Sequence, residues 1–483
     1  MHNKQSKETL ISSDSIANNK RLAELMQNAD DLMITDISPE GEQPITVSYV
    51  KGLTDEMKLE RLILLHSQHR GKMLPPYEDS TPLTTLEEAA AHLALGYSVL
   101  LFPAEGRGVA ICTLGVQLRN VEEPTSESVL KGARSGFTEA LQNNIALVRY
   151  HFPSTSLKVE YLQIGRLSKL NLAVLSLSGL TNPEIVQELI HRLNEIPADT
   201  VVGSNEIEEW ITDNRGTMFP LIESTERPDR VIGALQDGRV ALMIQGTPFV
   251  SMLPFTFLQA FQVSEDYNWN YYIGSLIRLL RLLSGFLGLF LPAFYVATVT
   301  FHHELLPTPL LQSIASAKEP VPFPAVMESF TMMIAFEIMR EAGVRMPRQI
   351  GQAVSIVGAL ILGQAAVQAG IVSPIMVIVA ALTGICTFTL PPTTVNYVIR
   401  ILQFVMTLLA SMLGYVGIMI GMIMLMTHMA SLRSFGVPYL SPAAPFDLNG
   451  LTDVVVRRPH TYNNKVPRMF RPLKQFRFRS KRG

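Results

Sequence analysis

The chain contains a long uncharged stretch that runs from Gln349 to Ile399 without any Asp, Glu, Lys or Arg. A helix that crosses the hydrocarbon core of a bilayer, which is ~30 Å thick, needs about 20 mainly apolar residues. The stretch is long enough for two such helices, separated near Gly370. We therefore predict a membrane hairpin with spans at Ala353–Ala369 and Ile371–Leu390. The alternative is a pair of buried core helices in a large soluble protein.

The first helix of this hairpin carries polar side chains among small ones. Gln364 and Gln368 stand four residues apart and share a helix face, and Ser355 is also polar. Polar groups that face lipid are costly, so these side chains should face protein or water. Small residues four apart, such as Ala359 and Gly363, allow close helix packing. A packed helix interface and the pore-lining helix of an oligomer both remain open on these residues.

Two further apolar runs predict spans at Leu282–Phe301 and Ile401–His428. The polar N-terminus has no apolar core of a signal peptide, which places the large head that follows on the cytoplasmic side. A basic tail after a span also favours the cytoplasmic side, so the number of spans should be even. We predict an integral membrane protein with four spans and with both termini in the cytoplasm.

Segment 321–348 is harder to place because its helical pattern carries charge. Glu337, Arg340 and Glu341 lie close together on the predicted helix Met327–Val344. Charges inside a bilayer mark a water-filled route or a buried pair, whereas a surface helix exchanges ion pairs with itself. The pattern therefore leaves open whether the segment spans the membrane, re-enters it as a vestibule or lies on its surface as an amphipathic helix.

The part that precedes the first span is predicted to be an α/β soluble region with two subdomains, at residues 41–152 and 153–265, after a flexible segment 1–40. The transmembrane domain follows at 266–433 and the basic tail at 434–483. Alternating apolar positions and turn residues predict the strands, and capping residues predict the helices. The expected strands are Ile45–Val50, Ser98–Pro103, Gly108–Leu114, Leu157–Ile164, Leu170–Leu177 and Arg239–Gln245. The expected helices are Thr54–Gln68, Thr85–Leu95, Glu139–Tyr150, Pro183–Asn194, Asn205–Thr212 and one that opens at Pro228.

No catalytic motif stands out in the head. The sequence has no phosphate-binding loop, no Gly-x-Ser-x-Gly, no Cys-x-x-Cys and no His-Glu-x-x-His, so we expect neither an enzyme nor a resident metal or cofactor. Charged residues in two polar segments are candidates for contacts between subunits, with a solvated loop as the alternative for the first segment. These candidates are Glu123, Arg134, Glu226, Arg227, Asp229 and Arg230.

The tail carries ten Lys and Arg residues between Val454 and Gly483 and no acidic residue. Such a tail can bind anionic lipid with about 1 kcal/mol per charge near the surface. Its position after a span favours membrane lipids over nucleic acid as the partner.

Several blocks together resemble the A subunit of the GerA family of spore germinant receptors. They cover most of the chain from about Pro44 to Pro459. These blocks are Glu123–Phe137, Thr225–Arg230, Gly238–Phe249, Val321–Pro324, Glu337–Pro347, Ile350–Val379 and Ser434–Pro438.

The resemblance implies a spore inner-membrane protein that acts in nutrient-triggered germination. The family's A subunits work with a transporter-like, nutrient-binding B subunit and a C lipoprotein, and are thought to form a homo-oligomeric, ligand-gated channel that releases monovalent cations. One member, encoded with the dipicolinate-channel genes, is not a nutrient receptor, and that alternative stays open, as does a membrane scaffold without its own pore. The lack of a repeat of spans argues against a solute transporter.

With this resemblance in view, the central hairpin is assigned to the pore. The pore-lining candidates are Ser355, Leu362, Gln364 and Gln368, and the vestibule or gating candidates are Glu337, Arg340 and Glu341. These residues are our own hypotheses and are not carried over from the family.

Overall fold

Two five-stranded sheets form the head that precedes the apolar helices. The computed structural model describes residues 9–37, 44–68, 80–115, 131–132, 134–346, 363–391, 394–459, 461 and 465–476. The strand pairs of both sheets are antiparallel throughout this part of the chain. The head is therefore built from antiparallel sheets covered by helices, which refines the predicted α/β class.

The first sheet has the strand order β1-β2-β4-β5-β3. Thr85 begins the third helix with a capping box, since its side chain accepts from the backbone N–H of Glu88 while the Glu88 carboxylate accepts from the N–H of Thr85. The elements are α1 Ser15–Leu25, β1 Leu32–Ile37, β2 Ile45–Val50, α2 Glu56–Gln68, β3 Ser80–Leu83, α3 Leu86–Ala94, β4 Tyr97–Phe102 and β5 Arg107–Cys112.

The second sheet has the order β6-β7-β9-β10-β8. Asn182 caps the helix Pro183–Asn194, because its side chain accepts from the N–H of Glu184. Pro183 fills the first helical position, where no N–H is needed. The elements are α4 Leu141–His151, β6 Leu157–Ile164, β7 Leu170–Leu177, α5 Pro183–Asn194, α6 Ser204–Ile211, β8 Glu223–Thr225, α7 Pro228–Gln236, β9 Val240–Ile244 and β10 Val250–Leu253.

The two sheets repeat one topology. Numbered within its own sheet, each has the order 1-2-4-5-3, with a helix before the first strand and helices flanking the third. The sequence shows similar elements but no clear repeat, because packing preserves the pattern of buried positions rather than residue identity. The head is thus two copies of one arrangement.

The prediction that segment 1–40 is flexible is wrong for most of its length. Helix α1 and strand β1 lie within it, and Leu22 and Met26 are fully buried in the first core. The segment reads as polar because α1 presents only a narrow apolar stripe. This stripe is nevertheless enough to hold α1 in the fold, because α3 packs against it.

After the head, the chain forms a bundle of apolar helices. Its long first helix begins at the cap Asn270, whose side chain accepts from the N–H of Tyr272. The helices are α8 Tyr271–Thr300, α9 Thr308–Lys318, α10 Ala325–Arg345, α11 Pro374–Thr389, α12 Thr394–Leu413 and α13 Tyr415–Ser431. A two-stranded ribbon, β11 Arg433–Ser434 and β12 Val437–Pro438, and helix α14 Leu448–Val455 complete the described chain. Residues 363–368 are also helical.

The predicted single span Ile401–His428 is wrong, because the chain turns back inside it. Gly414 has φ +60°, which separates α12 from α13, and the two helices pack against each other. His428, near the end of α13, lies beside Thr217 of the head, with 3.0 Å between its Nε2 and the Thr217 Oγ1. The segment is therefore an antiparallel hairpin.

Two helices in the described part of the chain, α8 and α12, are long and apolar enough to cross a membrane. Helices α11 and α13 are apolar but shorter. The predicted span Ile371–Leu390 coincides closely with α11, and the span 353–369 lies mostly outside the described residues, so the count of four spans stays a prediction. Helix α10 packs alongside α8, α11 and α12, so it is part of the bundle, with Arg340 mostly buried and with Glu341 and Arg345 largely exposed.

Residues of the predicted basic tail pack against the head. Phe470 is fully buried, and the N–H of Leu473 donates to the carbonyl of Leu180 at 2.9 Å. Arg457 is also buried, so it is not available to lipid. Part of the predicted basic tail is therefore packed against the rest of the chain, and lipid binding by its exposed residues stays a prediction.

Candidate functional site

The pore candidates Gln364 and Gln368 lie together on one exposed face of the helical residues 363–368. Ala366 and Val367, on the other side of this segment, pack against a core that includes Met376. The segment thus buries its apolar side within the chain and turns two amides outward. Ser355 and Leu362, the other pore candidates, lie outside the described residues.

The candidates Glu337 and Arg340 form part of an ion cluster between α10 and α12. The Glu337 carboxylate accepts from the Arg340 guanidinium one turn away and from Arg400 Nη1 at 3.0 Å. Both arginine side chains are mostly buried. Pairing is the usual condition under which charges persist among apolar helices.

Glu341 does not join this cluster. Its carboxylate pairs with Arg345 at 2.6 Å, and both side chains are largely exposed. An i,i+4 pair in this position contributes little stability. Of the three vestibule candidates, Glu337 and Arg340 are brought together and Glu341 is separate.

A second buried carboxylate, Glu328 near the start of α10, connects three segments. It pairs with Lys318 at 3.2 Å and accepts from the backbone N–H of Ser373 at 2.8 Å. Ser373 is the cap of α11, so the carboxylate satisfies a donor at that helix's N-terminus. The contact ties the end of α9 and the start of α10 to the turn that precedes α11.

The junction between head and bundle is held by Asp266. Its carboxylate is nearly inaccessible and accepts from Arg278 and from Arg281, each at 3.1 Å. Arg278 also donates to the carbonyl of Asp453 in α14. Burial raises the pKa of Tyr267 to about 12, so its hydroxyl remains a donor and contacts the Asp453 carboxylate at 3.3 Å. The head, α8 and α14 therefore meet at one ionic joint.

Four predicted subunit contacts lie around the start of α7 and serve the head itself. Glu226 and Arg227 are buried in the single chain, and Arg227 pairs with Asp229 at 2.7 Å. Arg230 donates to Glu223 at 2.8 Å. Within the single chain Glu226 and Arg227 are thus already covered by other parts of the head, and the subunit interface stays a prediction. The burial of Arg227 is made possible by its ion pair with Asp229.

The remaining subunit-contact candidates are placed differently. Arg134 is exposed, and its role as a subunit contact stays a prediction. Glu123 lies outside the described residues. Lys131, in the same connector, approaches the junction, where its backbone N–H donates to Glu265 and its ammonium stacks over Trp269 at 5.3 Å.

Glu223 forms the buried centre of this head cluster. It accepts from Arg230 and, at 2.8 Å, from Arg239, which is almost fully buried. Burial alone would raise the pKa of Glu223, but the two guanidiniums hold it below its ordinary value. Sequence reasoning missed Glu223, Arg239, Asp266 and Arg400, because isolated charges far apart in sequence give no signal of pairing.

Comparison with known proteins covers nearly the whole chain. The profile of the family described as Bacillus/Clostridium GerA spore germination protein matches residues 20–469. Spore germination protein KA of Bacillus subtilis (strain 168) is 40% identical over 455 residues, covering 91% of this chain and 84% of that protein.

Two further relatives and one solved structure are similar over parts of the chain. The uncharacterized membrane protein YfkQ of Bacillus subtilis (strain 168) is 45% identical, covering 78% of this chain and 73% of that protein. Spore germination protein GerLA of Bacillus cereus is 38% identical, with 78% and 76% covered. The crystal structure of the N-terminal domain of the A subunit of the Bacillus megaterium spore germinant receptor GerK3 aligns with a TM-score of 0.40 at 24% identity, covering 52% of this chain and 98% of that one. By the extent of the profile match and the identity to these relatives, the chain belongs to the GerA family of spore germination proteins.

Proposed function

We propose that this chain is the A subunit of a spore germinant receptor and acts in nutrient-triggered germination together with a B subunit and a C lipoprotein. Membership of the family and the named germination proteins among its relatives support this role. The role is non-enzymatic. The chain resides in the spore inner membrane, with both termini on the cytoplasmic side and with exposed basic residues of the tail near anionic lipid.

The chain further assembles as a homo-oligomer whose central hairpin lines a path for monovalent cations. One observation carries this proposal: Gln364 and Gln368 are exposed on an otherwise apolar membrane segment whose opposite face is packed. Two outward amides are costly against lipid but well placed against water or another copy of the chain. In the oligomer, the Gln364 and Gln368 faces of all copies form a ring of uncharged polar side chains around the ion path.

Ion flux in liposomes tests this proposal. We expect the purified full-length chain to sediment as an oligomer and to conduct potassium ions. The double substitution of Gln364 and Gln368 by Leu should reduce the flux at least about tenfold, since it removes the polar lining. Gln312→Leu, at an exposed position of α9, is the matched control and should conduct normally.

The outcomes separate the channel from a scaffold. A monomer without flux in every variant would contradict the pore and leave a scaffold that holds the partner subunits. Equal flux in wild type and in the double variant would move the pore away from residues 363–368.

A further inference from the structure

A small cavity lies among α10, α11 and α12, beside the Glu337 cluster. Its volume is about 20 Å³, and its polar lining comes from Glu337, Arg340, Thr383, Thr387, Arg400 and Gln403. A site needs roughly 10–15 Å³ of such volume to hold one water molecule. The cavity therefore has room for a single small species.

Three polar groups around this cavity lack a protein partner within the described chain. Gln403 is only 7% exposed, and its side-chain amide makes no hydrogen bond with described residues. The Nε atoms of Arg340 and Arg400 are buried and equally without an acceptor. Leaving such donors unsatisfied costs about 1–3 kcal/mol each, more for charged groups.

The threonine hydroxyls on the cavity wall are already satisfied. Thr383 Oγ1 donates to the carbonyl of Val379 at 2.7 Å, and Thr387 Oγ1 donates to that of Gly384 at 2.8 Å. The N–H groups that still lack an acceptor among the described residues at this site therefore belong to one amide and two guanidiniums, and the carbonyl oxygen of the amide is also free to accept.

The charge of the cluster is also unbalanced. One carboxylate, Glu337, faces two guanidiniums, while Glu341 is engaged with Arg345. The stretch Gln349–Ile399 contains no acidic residue that could add a negative charge. The ring of Tyr397, 4.1 Å from the Arg400 guanidinium, offsets only part of the excess. An uncompensated positive charge among apolar helices is costly.

We propose that this cavity binds one monovalent anion of the size of chloride. The Gln403 amide N–H and the Nε–H groups of Arg340 and Arg400 donate to it, and its charge balances the cluster. A water molecule would accept hydrogen bonds but leave the charge unbalanced. The bound anion links α10 to α12 and stabilises their packing. The proposal does not depend on ion conduction by the chain.

Chloride binding to the purified full-length chain in detergent tests the site. At constant ionic strength, replacement of gluconate by chloride should raise the unfolding temperature, and radiolabelled chloride should bind with one ion per chain. Sulfate, which is larger and divalent, should not substitute. Gln403→Leu keeps every charge and removes one donor, so it should weaken chloride binding about tenfold.

Two controls keep the result interpretable. Gln312→Leu, on the exposed surface of α9, should bind chloride like the wild type. Arg400→Gln should abolish binding, and if that variant does not fold, Gln403→Leu still decides the question. Absence of bound chloride in the wild type, or unchanged affinity in Gln403→Leu, would overturn the proposal and indicate that the cavity holds only water.

Discussion

At the scale of single residues, one arrangement recurs: a carboxylate placed between two arginines. Asp266 joins Arg278 and Arg281, Glu223 joins Arg230 and Arg239, and Glu337 joins Arg340 and Arg400. Each trio connects different elements of the fold, and the Glu337–Arg400 pair joins residues 63 positions apart in sequence. Because a buried guanidinium is costly without its partner, the carboxylate is the residue on which each joint depends.

Asp266→Asn should therefore destabilise the chain by about 3–5 kcal/mol, since it leaves Arg278 and Arg281 buried without a counter-charge. The free energy of unfolding of the detergent-purified protein, from denaturant titration, measures this. Asp199→Asn is the control, because it removes an exposed pair with Arg166 and should cost less than about 1 kcal/mol. Equal effects of both substitutions would refute the role of Asp266 as a joint.

The lowered pKa of Glu223 should make the stability of the head depend on pH. Its pKa is lowered in the folded state, so the unfolded state binds the proton more readily. The stabilisation is present above the unfolded pKa, near 4.5, and is lost as the pH falls through the folded pKa. Unfolding temperatures measured from pH 7 downward should show this loss in the wild type. Glu223→Gln should be less stable at pH 7 and should respond less to acid; a parallel pH profile would contradict the assignment.

At the scale of elements, sequence patterns located most head strands and helices. The limits of β6, β7 and α5 coincide with prediction, because alternation and caps are local signals. In the bundle, by contrast, the run from Ile401 to His428 is mainly apolar and contains no Asp, Glu, Lys or Arg. Uniform hydropathy does not indicate where a helix ends. The first helix of this run ends because the backbone at Gly414 adopts a positive φ.

Gly414→Ala should destabilise the α12–α13 hairpin for two reasons. The residue has φ +60° and ψ −138°, a conformation that costs about 1–3 kcal/mol for a residue with a side chain, and a Cβ would lie 2.6 Å from the His302 ring. Gly246→Ala is the matched control, since Gly246 has φ +88° and open space around it. Thermal unfolding should show a larger loss for Gly414→Ala; equal losses would mean that the contact with His302 contributes nothing.

At the scale of the whole molecule, the second of the two sheet units packs onto the helical bundle through a shared apolar core. Phe219, Leu221 and Phe255 of the head pack in the same cluster as Leu289 and Met429 of the bundle. Together with the ionic joint at Asp266, this core packs the second sheet unit directly against α8.

Leu362→Ala should increase ion leak through the assembled oligomer if this residue forms the narrowest point of the central hairpin, because a smaller side chain widens an apolar constriction. Potassium flux from liposomes that contain the full-length chain measures this leak. Leu382→Ala is the matched control, since Leu382 is exposed on the outer side of α11 and should leave the flux unchanged. An unaltered leak in Leu362→Ala would exclude the residue as a constriction.

The sequence by itself determined the division into an α/β head and apolar helices, the shared face of Gln364 and Gln368, and the family, because hydropathy, caps and motif blocks are local properties of the chain. The pairing of Arg400 with Glu337, the joint at Asp266, the turn at Gly414 and the repeated strand order were decided only by the tertiary structure. These features depend on which distant residues are buried together, and burial is a property of the packed molecule rather than of any segment.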